Sequence, residues 1–415
     1  MKKKIWIMNH YATNMYFNEG GRHYWFAENL IKQAYEPTIF CASTIHSSEK
    51  EIEIPDGDYS TDVVDNIPFV FVKTPKYQGN GRSRVINMLS FYRKLFKVSR
   101  QYAKANGKPD VILASSVHPL TLVAGIKIAK KFGVRCICEV RDLWPESLVA
   151  YGSIKRGSLL AKLLYKGEKW IYKKADSIIM TWEGGRQYIV DQGWEKHVDL
   201  NKVIHISNGV LINTFDKNSI ENAVDDFDLD DKKYKNLTYA GSLRKVNNLG
   251  LLLDAAKIVQ DKDQTVRFII FGSGDQKDIL VNRCCDENIN NVIFKGRVDK
   301  KMIPSIIKKS YANILHNSST SLDKYGQSQN KFFEYLAAGR CIIQTYSTGY
   351  SIIDKFDCGV SAVQQTPDEV ANVILKICEK DNEVERMGDN ARKASYHYDF
   401  IELTEKLIGV IENTF

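Results

Sequence analysis

Short apolar runs alternate with longer amphipathic segments along the whole chain. In the first half the runs cover residues 5–8, 38–41, 69–72, 111–114, 134–140, 177–181 and 203–206. Each has strand length, and between them lie segments whose apolar positions recur at helical spacing, such as 24–33 and 82–104. This alternation predicts an open, mostly parallel α/β sheet. A polar, acidic stretch from Asp216 to Lys235 then reads as a linker. A second alternation follows, with runs at 237–240, 266–271, 292–294, 312–316 and 341–345. The pattern therefore predicts two α/β domains with a boundary near Val210, the first spanning 1–210 and the second 211–394.

Ligands of such sheets bind beyond the carboxyl ends of the strands, so the loops there carry the candidate chemistry. After the first strand, Gly20 and Gly21 precede a helix, and a glycine pair lets backbone approach a ligand closely. His118 follows the strand 111–114, in the loop before a helix. A capping or packing role is the plain reading of a lone histidine there, and its place at a strand's carboxyl end strengthens a role in a site. Glu139 at the end of the strand 134–140 and Arg141, Asp142 and Glu146 after it form a cluster, either as a site or as an Arg–Asp pair with Asp142 capping a helix. In the second half, Gly241 and Ser242 lead into Arg244 and Lys245, a pyrophosphate clamp or an exposed basic loop. Gly272 ends the strand 266–271, and Val298 follows 292–294. Near residue 330 turn residues give way to a short helix that stops at Gly339. Free N–H groups at its start attract an anion, and Glu334 just inside can accept from sugar hydroxyls.

Composition narrows the classes. The 415 residues are 44% hydrophobic and 26% charged, enough for two large cores. A net charge of +8 admits nucleic acid, anionic lipid and phosphorylated ligands. Without zinc-finger spacing or an aromatic RNA-binding motif, nucleic acid is not expected as a partner. Much of the charge sits on two amphipathic segments, 82–104 and 155–174, where lysines and arginines flank apolar stripes. Two readings stand open, docking on an anionic membrane surface or packing on the sheet with a solvated basic side. The eight cysteines lack CxxC spacing and read as reduced packing residues, which suits a cytoplasmic location. No apolar run spans a bilayer, and no cluster has metal-ligand spacing, so no metal or cofactor is expected.

The stretch Tyr325-Gly-Gln-Ser-Gln-Asn-Lys-Phe-Phe-Glu-Tyr-Leu-Ala-Ala-Gly339 resembles the donor-binding motif of retaining glycosyltransferases of family 4. It is similar to the branch reading S-P-N-K-hydrophobic-hydrophobic-E-Y-hydrophobic-A-A-G, found in O-antigen and capsule enzymes. Gln329 replaces the usual Pro. Glu334 matches the second of two glutamates that many members carry, and Gly326 stands at the first. Arg141-Asp-Leu-Trp-Pro-Glu-Ser147 and the N-G-V at Asn208 resemble the same branch. The resemblance implies the GT-B fold, two Rossmann-like domains with a cleft between them, the first completed by a C-terminal helix in 395–415. It implies a nucleotide-sugar donor held by Gly20, Gly21, Gly241, Arg244 or Lys245, Gly272, Val298, Ser328, Asn330, Lys331 and Glu334. Asp142 becomes the leading candidate to orient or deprotonate the acceptor, with Glu146 a weaker candidate and His118 at the reacting sugar, where neutral imidazole could donate to a sugar hydroxyl or the departing phosphate. The branch includes N-acetyl-L-fucosamine transferases. That suggests a UDP-linked N-acetylamino sugar, a polyprenyl-diphosphate-linked saccharide acceptor, and a protein peripheral on the inner face of the plasma membrane. A GT-B nucleotide-sugar 2-epimerase and a non-catalytic subunit of a polysaccharide assembly complex are the alternatives.

Overall fold

The computed structural model describes residues 2–46, 50–79, 81–116 and 118–414. The chain divides into two compact units, Met1–Ser207 with Phe400–Phe415, and Asn208–Asp399.

The first unit holds an eight-stranded sheet. Its strands are β1 (Lys4–Met8), β2 (Glu36–Ala42), β3 (Tyr59–Val64), β4 (Ile67–Val72), β5 (Val111–Ser115), β6 (Arg135–Val140), β7 (Ser177–Met180) and β8 (Val203–His205). Their order is β3-β4-β2-β1-β5-β6-β7-β8. All pair in parallel except β3, which runs antiparallel to β4. The apolar pattern predicts every strand but β3. That strand carries Ser60, Thr61 and Asp62 at the sheet edge, where one side faces water and no apolar run is required. Its signal was the turn: Asp65 and Asn66 both have positive φ, the geometry of a two-residue hairpin.

The second unit holds six strands: β9 (Lys235–Ala240), β10 (Val266–Phe271), β11 (Val292–Gly296), β12 (Ala312–Leu315), β13 (Cys341–Gln344) and β14 (Gly359–Ser361). Their order is β11-β10-β9-β12-β13-β14, all parallel. Side chains alternate between two buried clusters. Val266, Phe268 and Ile270 enter one, and Ile269 and Phe271 the other. A sheet covered on both faces favours apolar residues at nearly every position, which is why these strands read as near-continuous runs, with polar breaks such as Arg267 and Asn313. Only β14, three residues long, escapes that signal.

The unit boundary falls slightly before the expected Val210, and the tail returns slightly later than residue 395. Val210 and Asp399 pair with each other, the Val210 amide donating to the Tyr398 carbonyl at 3.0 Å. Tyr398 packs its ring on Phe333, 5.2 Å between centroids, so residues up to 399 stay with the second unit. The helix Phe400–Thr414 then packs on the helix Arg22–Lys32, with Phe400 against Trp25 and Phe26.

Candidate functional site

In each sheet, successive connections leave one central strand in opposite directions, and a crevice opens at that point beyond the strand ends. In the first unit it lies between β1 and β5, in the second between β9 and β12.

In the second unit the helix Asn330–Ala338 follows β12. Phe332, Phe333, Tyr335 and Leu336 are buried, which fixes the helix and leaves Lys331 and Glu334, three residues apart, on its other side. No side chain caps the start of this helix. The Lys331 ammonium donates to Tyr239 Oη at 3.2 Å and to the His316 carbonyl at 3.3 Å. It also sits over the Tyr239 ring, 4.4 Å from the centroid. No carboxylate pairs with it among the described residues, and burial lowers its pKa to about 8. Beside it runs the loop after β9. Gly272 packs against that loop so closely that an added Cβ would lie 1.7 Å from the Gly241 carbonyl oxygen. Backbone meets backbone there, and neither position has room for a side chain.

Arg244 and Lys245 are exposed on the same loop, and their side chains make no hydrogen bond or ion pair among the described residues. Val298 is half-buried in the loop after β11. Asn330 is exposed at the helix start. Ser328 is engaged within the unit: its Oγ accepts from the Asn208 amide at 3.2 Å, and its carbonyl from Asn208 Nδ2 at 2.6 Å. Glu334 is partly buried, with Lys300 4.0 Å away; burial raises its carboxyl, and Lys300 partly offsets that. Gly326 has φ +101°, a conformation that an L residue adopts only with strain. The motif's glutamate at that position is therefore incompatible with this backbone.

In the first unit, Gly21 is the N-cap of the helix Arg22–Lys32, and no side chain caps that end. His118 is the N-cap of the helix Pro119–Phe132 and is 2% exposed. Its Nε2 lies 2.6 Å from Nδ1 of His10, which arrives from the loop after β1. Burial, then Arg84, lowers the His118 pKa to about 3, so the ring is neutral at physiological pH. The loops of β5 and β6 are joined where the Arg141 amide donates to Ser116 Oγ at 3.0 Å.

The three carboxylates of the β6 loop have different surroundings. Glu139 is fully buried. It accepts from Arg22 Nε at 2.7 Å, His23 Nε2 at 2.8 Å and Ser115 Oγ at 2.7 Å. Burial alone would raise its carboxyl, but Arg22 and His23 hold it well below the usual range. It is a structural anchor. Glu146 is engaged as well. Its carboxylate is taken by Arg156, by Tyr165 Oη at 2.6 Å and by Gln192 Nε2 at 3.2 Å. That geometry ties the loop to the following helices. Asp142 is exposed and has no hydrogen-bond or ion-pair partner among the described residues. It forms no Arg–Asp pair and caps no helix. Crowding by the loop raises its carboxyl, with Arg141 opposing.

Sequence reasoning missed His10, Tyr239 and His316. His316 stands directly after β12 and is fully enclosed. Its Nε2 donates to the Asn248 carbonyl at 3.0 Å, and Thr345 Oγ1 lies 2.7 Å from its Nδ1. A histidine at the carboxyl end of a central strand was the available signal. Among the described residues, no group of three His, Cys, Asp or Glu is placed to hold a metal, and no helix is long and apolar enough to cross a membrane.

Comparison with known proteins agrees with this architecture. Residues 21–209 match the family described as glycosyl transferase 4-like domain, and residues 221–394 that of glycosyl transferases group 1. The chain is 24% identical over 230 residues to the uncharacterized glycosyltransferase MJ1069 of Methanocaldococcus jannaschii, a match covering 54% of this chain and 55% of that one. It spans about half the length of that relative. It is 22% identical over 336 residues to the probable glycosyltransferase WbjE of Pseudomonas aeruginosa, covering 77% of each. The structure of HepE of Anabaena in complex with UDP superposes with a TM-score of 0.67 over 100% of both chains, at 13% identity. The chain thus belongs to the glycosyltransferases, as a glycosyl transferase 4-like domain followed by a domain of glycosyl transferases group 1, in a fold of the GT-B type.

Proposed function

We propose that the chain is a retaining transferase that moves a sugar from a UDP-linked donor to a lipid-linked saccharide. Lys331 carries this reading. A partly buried amine without a carboxylate partner, beside an uncapped helix start and a glycine-tight loop, suits a diphosphate. UDP as the nucleotide rests on HepE, whose structure was solved with UDP. Glu334, three residues along the helix, takes the ribose hydroxyls. Arg244 or Lys245 meets the phosphates from the neighbouring loop, and the backbone near Val298 meets the base.

On the acceptor side, Asp142 is the carboxylate left free to orient the incoming hydroxyl. The charge growing on the departing diphosphate is met by Lys331 and the helix start, groups already in place before reaction. Transfer in this reading needs no metal. Retention follows from same-face attack, the donor's phosphate taking the acceptor's proton.

The donor sugar is an N-acetylamino sugar such as N-acetyl-L-fucosamine. The acceptor is a polyprenyl-diphosphate-linked saccharide of O-antigen or capsule synthesis, met at the inner face of the plasma membrane. WbjE supports the comparison with bacterial glycosyltransferases. Two basic helices support the membrane surface. The helix Arg82–Asn106 leaves Val85, Ile86 and Leu89 exposed, and the helix Leu159–Lys174 leaves Leu159 at 85%, Leu160 at 54% and Leu163 at 66% exposure. Both pack against the helix Pro119–Phe132 that lies between them in sequence, so they share one face of the sheet.

The first test is thermal stability with UDP, TDP, GDP or ADP, each with EDTA. Selective stabilisation by UDP is expected, since a ligand bound only by the folded state raises its melting temperature. No shift with any nucleotide would remove the donor pocket around Lys331.

A further inference from the structure

The crevice between β1 and β5 contains a chain of hydrogen bonds whose direction can be worked out atom by atom. Asn87 Nδ2 lies 2.6 Å from the Pro75 carbonyl oxygen and 3.0 Å from Thr44 Oγ1. A carbonyl only accepts, so the amide nitrogen must face Pro75. Asn87 Oδ1 therefore faces His10 Nε2, at 2.7 Å, and also only accepts. His10 must carry its proton on Nε2, which leaves its Nδ1 as an acceptor. The partner of that Nδ1 is His118 Nε2 at 2.6 Å, which must be the N–H. The remaining nitrogen, His118 Nδ1, then bears a lone pair. It is buried and has no partner in the described structure.

The assignment holds only while both rings are neutral. Burial first, and the neighbouring ring and Arg84 after it, keep the His10 pKa well below the usual value; His118 is lowered likewise. His10 also has no freedom to turn. Its ring is stacked between Tyr11 and Phe91, each 4.5 Å between centroids and at interplanar angles of 9° and 14°. The His118 ring stands at 90° to it. One turn into the helix that His118 caps, Thr121 Oγ1 is a second buried polar atom without a partner.

We infer that His10 and Asn87 are positioning residues that hold His118 as a hydrogen-bond acceptor, so that its ligand partner is a sugar hydroxyl or amide N–H and not a phosphate oxygen. The inference rests on the sugar-transfer reading for the identity of the ligand. It reverses the expectation that His118 donates: Nδ1 has no proton to give to a departing phosphate.

The test is the imidazole spectrum of the full-length protein labelled with 15N-histidine, with His118 assigned by its loss in His118→Asn. Expected is a single neutral tautomer with Nδ1 bare and Nε2 protonated, unchanged from about pH 5 to about pH 8. His10→Phe keeps the stacked ring but removes the acceptor. It is expected to lose the single tautomer while binding UDP with unchanged affinity by calorimetry. If His10→Phe does not fold, Asn87→Ala frees the His10 ring nitrogens and should have the same effect on His118. A wild-type His118 protonated on Nδ1, or titrating near an ordinary histidine, would overturn the inference. So would a tautomer that both variants leave unchanged. The spectrum requires neither nucleotide nor turnover. A protein that binds no UDP would therefore defeat the transfer reading and leave the tautomer result to stand or fall separately.

Discussion

At Lys331 a charge is placed where it has to find a partner. Lys331→Met is expected to weaken UDP binding by about tenfold to a hundredfold, the range of one or two charge-assisted hydrogen bonds. The pH dependence carries a sign. Because its pKa is lowered to about 8, the amine is charged below that pH and neutral above it. UDP affinity should therefore be flat near neutrality and fall as pH rises through about 8, and Lys331→Met should abolish the fall; an equal fall in the variant places the titrating group elsewhere. Glu334→Ala should also weaken UDP, and unchanged affinity in calorimetry would take the ribose away from it. Asp142→Asn belongs to the other unit: turnover should drop by roughly a hundredfold or more while UDP affinity stays, and full turnover clears the residue. The sequence shows three charged residues after β6, Arg141, Asp142 and Glu146, but not which are taken. Glu146 is claimed by Arg156, Tyr165 and Gln192, which lie 10, 19 and 46 residues further along the chain. Only the fold brings them back to the loop, so Asp142 and Glu146 look alike in sequence and differ in structure. His10 was overlooked because it reads as the end of a strand, and its partner lies 108 residues away.

Among the elements, periodicity carried the reading where burial is two-sided and failed where it is not. Central strands such as β10 bury all but one residue, Arg267, so composition alone reveals them. The edge strand β3 is mostly polar and is visible only through its turn. The amphipathic helices are a third case, since periodicity marks an apolar stripe but not which part of it the sheet covers. In the helix Arg82–Asn106, Phe91, Leu95 and Val98 are buried, while Val85, Ile86 and Leu89 are left outside. Lys97 there pairs with Asp58 at 2.7 Å and is a poor probe of lipid binding. Replacing Leu159, Leu160 and Leu163 with Ser is the sharper test. Binding to vesicles containing anionic lipid should fall, with the melting temperature unchanged because these side chains pack on little. Sedimentation equal to wild type would leave that apolar edge without a membrane role.

For the molecule as a whole, one buried acid sets a slope of stability against pH. Glu168 accepts from Tyr172 Oη at 2.7 Å and Tyr188 Oη at 2.8 Å, joining the helix Leu159–Lys174 to the helix Gly185–Asp191. Burial raises its pKa to about 8, against the pull of both hydroxyls. An unfolded glutamate titrates near 4.3. Between those values the folded state binds the extra proton, so stability falls as pH rises from about 4.3 to about 8. Glu168→Gln should flatten this slope and melt higher than wild type above about pH 8; parallel curves would show that the acid is ionised in the folded protein. The two-domain alternation and the ends of the strands were legible in sequence. The order of strands was not, because a parallel crossover leaves no mark on either side of the strand it passes.

The return of residues 400–414 to the first unit has a consequence for how the chain is made. Trp25 and Phe26 are synthesised early, yet Phe400, which covers them, leaves the ribosome only after the whole contiguous span 208–399. The second unit has all of its own elements in one contiguous span, while the first keeps an apolar face uncovered until the last helix arrives. A chain released after residue 399 should therefore be protease-resistant in its later part and open to cleavage near the helix Arg22–Lys32, the reverse of the usual order in which the earliest-made domain matures first.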